Sequence, residues 1–195
     1  PSYAWTESGA RRYTSQARAM SQTFETSLFD CFAQTANTHA NKTALIFNDE
    51  RIGYAALLAR VNAKADALQA TWGLASKARI PYVGLNDPEQ IVTLLACAKV
   101  GAIFLPINYR LAEAEIAAIR ADAANGGQTP ISNLPCLLVY TSGTTGQPKG
   151  ALHTQDALLA NARASWAAHD MTADDVVATF DRLSDPAMGS NALSA

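Results

Sequence analysis

Residues 140–150, YTSGTTGQPKG, concentrate groups that can bind an anion. Thr141, Ser142, Thr144 and Thr145 carry hydroxyls able to donate to phosphate oxygens, while Gly143 and Gly146 let backbone N–H groups come close to an anion. Lys149 adds a positive charge, and Pro148 fixes the backbone just before it. The chemistry these groups suggest is a flexible cradle for a polyphosphate. The spacing is not that of the Walker A loop, in which Lys directly follows the second glycine and precedes Ser or Thr. Here two residues separate Gly146 from Lys149, and Gly150 follows. Clusters of Gly, Ser and Thr are more commonly solvated linkers. Against that stands the context: an apolar strand, Leu137 to Tyr140, leads in, and a helix over 154–168 leads out.

Other polar residues invite plainer readings. His153, just past the loop, reads as a helix-entry or packing residue. His39 and His169 sit near helix ends, where positive charge is mildly favourable. Asp174 and Asp175 read as a turn and the start of a strand, not as a catalytic carboxylate pair. Trp72 and Trp166 fit helix faces and are expected in the core. Arg110 reads as a surface or subdomain contact, and Glu113 and Glu115 as a solvated helix face. Cys31, Cys97 and Cys136 lack metal-ligand spacing and read as small buried hydrophobes.

The elements that must position the loop follow from periodicity. Leu28, Phe29, Phe32 and Ala36 share one face of a helix over 27–39. Residues 43–47 form a strand, and 48–50 turn back into 51–54. Leu57, Val61, Ala65, Leu68 and Trp72 mark a helix over 54–72, with Gly73 as its stop. Residues 79–86 form a strand that Pro81 assigns to an edge or an irregular start. Asp87 caps the next helix, Pro88 suits its first position, and Gln90 completes a capping-box pattern. Ile91, Leu94, Leu95 and Ala98 form its buried stripe, and Gly101 ends it. A strand over 102–108, a helix over 111–123, a loop over 124–135 and the strand 136–140 complete the pass. Strands alternating with helices define an α/β class with a largely parallel sheet flanked by helices.

Composition bounds the rest. With 195 residues, 49% hydrophobic and 16% charged, the chain can bury a core. A formal charge of −2 gives no reason to expect nucleic acid as a partner. No run approaches the length of a membrane span, and residues 1–20 lack the apolar centre of a signal peptide. A soluble protein of a reducing compartment, the cytoplasm, is the expectation.

The loop YTSGTTGQPKG resembles the phosphate-binding signature of the adenylate-forming superfamily. That group includes acyl-CoA synthetases, luciferases and the adenylation domains of nonribosomal peptide synthetases. The segments ERIGYAALLARVNAKADAL and VGLNDPEQIVTLLACAKVGAIFLPINYRLAEAEI resemble two earlier segments of the same family, and GLN with IFLPINYRL is most similar to the fatty-acyl-CoA ligase branch. The resemblance covers roughly 27–177. It implies the N-terminal part of the large domain of such an enzyme. A carboxylate would attack the α-phosphate of ATP to give an acyl-adenylate and pyrophosphate, and a thiol, usually of CoA, would displace AMP. Thr141, Ser142, Gly143, Thr144, Thr145, Gly146 and Lys149 would hold the β- and γ-phosphates as a mobile lid. Magnesium would bridge phosphate oxygens, with Thr144 and Thr145 as the candidate hydroxyls.

Departures from the family pattern shape the expected domain layout. The family carries, downstream of its glycine loop, an adenine and magnesium motif, a ribose-binding Asp with an Arg beside it, and a Lys in a small C-terminal domain; none occurs in these residues. Further family segments are missing near 122–126 and near 177–181. The layout expected is an unplaced segment 1–26 and an incomplete AMP-binding domain 27–195, with the small C-terminal domain absent and the sequence joining pieces of a longer chain. A true short fragment or decayed paralogue is the competing reading. Three functions follow: an AMP-forming ligase joining a fatty or other hydrophobic acid to CoA; an amino- or aryl-acid activator loading a carrier-protein thiol; and a noncatalytic nucleotide-binding or interaction module. A homodimer is left open.

Overall fold

The computed structural model describes residues 27–72, 78–125, 134–141 and 149–178. Helix α1 (Leu28–Thr38) starts at a capping box: the Asp30 N–H donates to Ser27 Oγ at 3.0 Å, and the Ser27 N–H donates back to Asp30 Oδ2. Leu28 and Ala36 are buried, with Phe29 and Phe32 packed beside them, as the periodicity predicts. Strands β1 (Thr43–Phe47) and β2 (Glu50–Gly53) form an antiparallel pair. Asn48 and Asp49 turn between them with φ of 47° and 65°, the left-handed conformation that a tight hairpin requires and that Asn and Asp tolerate. Helix α2 (Tyr54–Trp72) buries Leu57, Val61, Ala65 and Leu68. The Trp72 side chain and Gly73 lie outside the described residues.

Strand β3 (Arg79–Gly84) is two residues shorter than the sequence suggests. Pro81 lies on the sheet edge, as a residue without an N–H donor must. Helix α3 (Pro88–Val100) has Asp87 as its N-cap, accepting the Glu89 N–H at 2.8 Å, and ends at Gly101 with φ of 74°. The expected capping box does not form. Gln90 is turned inward and buried, and among the described residues its Oε1 accepts no hydrogen bond. The reason is that α3 is buried almost all round, from Val92 to Ala98, so its N3 side chain packs instead of reaching back.

Strand β4 (Ile103–Asn108), helix α4 (Glu113–Asn125), strand β5 (Pro135–Thr141), strand β6 (Lys149–Thr154) and helix α5 (Gln155–Ala168) follow. The sheet order is β3-β4-β5-β6. β3 and β4 run parallel, as do β4 and β5, whereas β6 returns antiparallel along β5. The sheet is therefore mixed, largely parallel and flanked by helices. β6 is a correction, because the sequence pattern passes from the glycine loop straight to a helix. KGALHT has no alternating pattern of its own; it becomes a strand because β5 offers an open edge.

Side chains alternate cleanly across the sheet. Phe104, Leu137 and Val139 join the core formed with α1, α2, α3 and α5. Ile103, Leu105, Ile107 and Leu138 point the other way and pack on Ile119 and Ala123 of α4. The steps from β3 to β4 and from β4 to β5 run in the same direction, yet α3 and α4 cover opposite faces. The two crossovers are therefore of opposite hand, and parallel crossovers are right-handed with few exceptions.

Two expectations about the C-terminal part fail. Trp166 is 53% exposed, because α5 buries only Gln155, Leu158 and Leu159 near its start. Asp174 is in a turn as expected, but residues 175–178 form no strand and Val176 is 80% exposed. Cys97 and Cys136 are buried and Cys31 is partly exposed, and all three are free. Burial pushes the Cys97 and Cys136 thiols up to about 12 from an ordinary 9.0. Unfolded thiols ionise near pH 9 while the folded ones stay protonated. Their contribution to stability is thus intact below pH 9 and falls as pH rises from there toward 12. A thiol reagent at pH 8 is expected to label Cys31 rapidly and the other two only after denaturation. Fast labelling of all three in the native state would contradict this burial.

Candidate functional site

Because β3, β4 and β5 are parallel, their C-terminal ends at Gly84, Asn108 and Thr141 share one edge of the sheet. Open α/β sheets bind ligands in the crevice outside that edge. The glycine-rich segment leaves the sheet there. Thr141 closes β5 and Lys149 opens β6, and the two face each other as cross-strand partners. Of the residues the sequence nominates, the structure thus brings Thr141 and Lys149 together. Ser142, Gly143, Thr144, Thr145 and Gly146, including both candidate metal-binding hydroxyls, lie outside the described residues. Lys149 is an exposed strand residue, so its register and the direction of its backbone are set by β5.

The hairpin stem is built for close approach at its upper end. Gly150 faces Tyr140 across the strands. A Cβ at position 150 would sit 3.0 Å from Leu138 Cδ1 and 3.2 Å from Tyr140 Cζ, so the ring lies over the bare glycine backbone. The Tyr140 hydroxyl donates to the Asp122 carboxylate on α4. Burial, then the hydrogen bond to Asp122, raise the Tyr140 pKa well above the ordinary phenol value, so it remains a donor through the physiological range. This contact ties the loop-bearing end of β5 to α4.

Neighbouring groups at the same edge are also fixed locally. The Tyr82 hydroxyl donates to Asp87 Oδ1 at 2.9 Å, linking the end of β3 to the cap of α3. Burial, followed by Asp87, raises the Tyr82 pKa. Asn108 Oδ1 accepts the Arg110 N–H at 3.0 Å in a turn leaving β4. Arg110 is exposed, with its guanidinium 5.8 Å from the centre of the Tyr109 ring.

At the opposite end of the hairpin is a residue to which the sequence assigned no role. Gln155, 2% exposed, is the first residue of α5. Its N–H donates to Leu134 O at 2.9 Å. Its Oε1 accepts the Leu28 N–H at 2.8 Å, and its Nε2 donates to Ala98 O at 3.2 Å. The partners are 127 and 57 residues away in sequence, so no local pattern could reveal them.

The remaining candidates behave as follows. His153 is half-buried on β6 opposite Leu137, immediately before Thr154, the N-cap of α5. His39 and His169 are helix C-caps as expected. Glu113 and Glu115 are exposed on α4. Asp175 is exposed, and hydrogen bonds from the Thr172 N–H and hydroxyl hold its carboxyl below the usual range. Among the described residues, no three or more His, Cys, Asp or Glu side chains cluster to hold a metal ion, and no helix is long and apolar enough to cross a membrane.

The mixed, largely parallel sheet flanked by helices is of the α/β class. The AMP-binding enzyme family profile matches residues 32–126 and 126–184, and the chain belongs to that family. It is similar to the indoleacetate–CoA ligase of Aromatoleum aromaticum, at 32% identity covering 74% of this chain and 38% of that protein. A feruloyl-CoA synthase of Amycolatopsis is 29% identical, over 72% of this chain and 36% of its own length. The inhibitor-bound N-terminal domain of FACL13 from Mycobacterium tuberculosis superposes with a TM-score of 0.63 at 25% identity, over 73% of this chain and 48% of that one. The chain spans well under half the length of the curated relatives it matches.

Replacing Gly150 by Ala should destabilise the protein by about 1 kcal/mol or more, because Leu138 is packed and Tyr140 is held at its hydroxyl. Thermal unfolding checks this. An unchanged melting temperature would mean that Tyr140 is free to swing away.

Proposed function

We propose that this chain is the N-terminal part of an ATP-dependent enzyme that activates a hydrophobic carboxylic acid as its adenylate and passes the acyl group to CoA. The observation that carries the reading is the pairing of Thr141 with Lys149 at the C-terminal strand edge in a member of the AMP-binding family. That pairing holds the two ends of segment 142–148 side by side, so its hydroxyls and glycine N–H groups can converge on one anion. Lys149 supplies positive charge to β- and γ-phosphates, and the pre-set stem lowers the cost of ordering the loop around them. The hydroxyls of Thr144 and Thr145 would accompany a magnesium ion brought by the nucleotide; the chemistry that ion supplies is charge neutralisation at the phosphates.

The named relatives are an indoleacetate–CoA ligase and a feruloyl-CoA synthase, which supports a CoA acceptor and adds arylalkanoic acids to fatty acids as candidate substrates. Free thiols at all three cysteines fit a reducing compartment, in this reading the cytoplasm. The proposal includes a longer natural chain, with a family segment absent near 122–126 and another near 177–181. The first junction has two supports: the family match is divided at residue 126, and the crossover through α4 has the opposite hand to that through α3. Residues 126 and 179–181 lie outside the described residues. Tryptic mapping of the protein from its native source is expected to lack a contiguous peptide 121–149, and finding that peptide would remove the first junction.

The functional test is ATP–pyrophosphate exchange with a panel of fatty, arylalkanoic, aryl and amino acids. Stimulation by fatty or arylalkanoic acids, with CoA as acceptor, is the expected result. Stimulation by amino or aryl acids without CoA turnover would move the reading to carrier loading. ATP binding without exchange would leave a nucleotide-binding module. Lys149→Ala is expected to lower the exchange rate by about 10²-fold, with Gly146→Ala also depressed, while both keep the native fold. Full exchange with normal ATP dependence in both variants would overturn the phosphate-cradle reading.

A further inference from the structure

The side chain of Gln155 occupies a place where two helix ends and a hairpin base meet. The Leu28 N–H belongs to the first turn of α1, and the Ala98 C=O to the last turn of α3, so both are groups that helices leave without internal partners. The amide satisfies both with one side chain. Its oxygen faces the positive end of α1 and its NH2 the negative end of α3, which also sets the orientation of the amide. The Gln155 backbone N–H simultaneously closes the hairpin base on Leu134.

Above this point the stem becomes progressively more exposed. Gln155 is buried, Leu152 to Thr154 are half-buried, and Lys149 to Ala151 are exposed. β6 is an edge strand of six residues, so Lys149 lies about 20 Å from the clamp. The hairpin is in effect a beam anchored in the core at Gln155 and braced near its tip by Tyr140 on Asp122. A small change of angle at such an anchor becomes a larger displacement at the tip.

We infer that Gln155 is a positioning residue for strand β6, fixing where Lys149, paired with Thr141 at its far end, meets the phosphates of a bound nucleotide. The inference rests on the phosphate-cradle reading given above. Gln155→Met keeps the length of the side chain but removes donor and acceptor. Gln155→His offers one acceptor and one donor again as a neutral imidazole. The experiment compares both variants with the parent in the full-length enzyme. The first readout, independent of activity, is amide hydrogen exchange across residues 149–154. The second is ATP–pyrophosphate exchange, with KM for ATP, KM for the acid and kcat measured separately at a temperature well below each variant's melting point.

Gln155→Met is expected to lose at least about tenfold in exchange protection along β6 and about tenfold in kcat/KM for ATP, with KM for the acid unchanged. Gln155→His is expected to return both quantities to within about twofold of the parent. A Met variant with parental protection and parental ATP kinetics overturns the inference. So does a Met variant whose losses fall equally on ATP and acid, or are not restored by His, because that is the signature of general destabilisation. If protection follows the clamp but neither these variants nor Lys149→Ala alter ATP kinetics, the phosphate-cradle reading itself falls.

Discussion

The antiparallel pairing of β6 along β5 is the constraint on which the site depends. β5 is buried on both faces, with Leu137 and Val139 facing α3 and Leu138 facing α4. It therefore cannot rotate or slip without exposing one core or the other. β6 inherits that register. Through it, Thr141 and Lys149 are held opposite each other, which fixes the two ends of the segment between them.

The two ends of the hairpin are held by different physics. At the base, Gln155 joins helix termini through buried hydrogen bonds, where an unmet donor or acceptor is costly. Near the tip, among the described residues, the Tyr140 ring packs over Gly150. The same division explains the residue types. Glycine at position 150 gives the close approach that the aromatic ring requires, and a long amide at position 155 spans two helix ends at once.

Much of the architecture was legible in the residues. Helix faces such as Leu57, Val61, Ala65 and Leu68 follow directly from spacing, and Pro81 correctly marked β3 as an edge. Asp87 and Gly101 bracketed α3 because capping is local chemistry. The misreadings share one cause. Gln90, Trp166 and Val176 were placed by local pattern, but their environments are set by neighbours distant in sequence. Gln90 turns inward because α3 is surrounded, and Trp166 is exposed because nothing packs over the later turns of α5 among the described residues.

The sequence by itself determined the chemistry available at the loop: hydroxyls, glycines and one lysine within eleven residues, in a spacing that marks the AMP-binding family. Those features are short-range, and short-range order is written in residue type and spacing. Only the tertiary structure decided that KGALHT is a strand, that Lys149 faces Thr141, that α3 and α4 cover opposite faces, and that Gln155 joins residues 28 and 98. Each of these depends on which edge, face or helix end is left unsatisfied once the rest of the chain has packed, and no window of sequence contains that information.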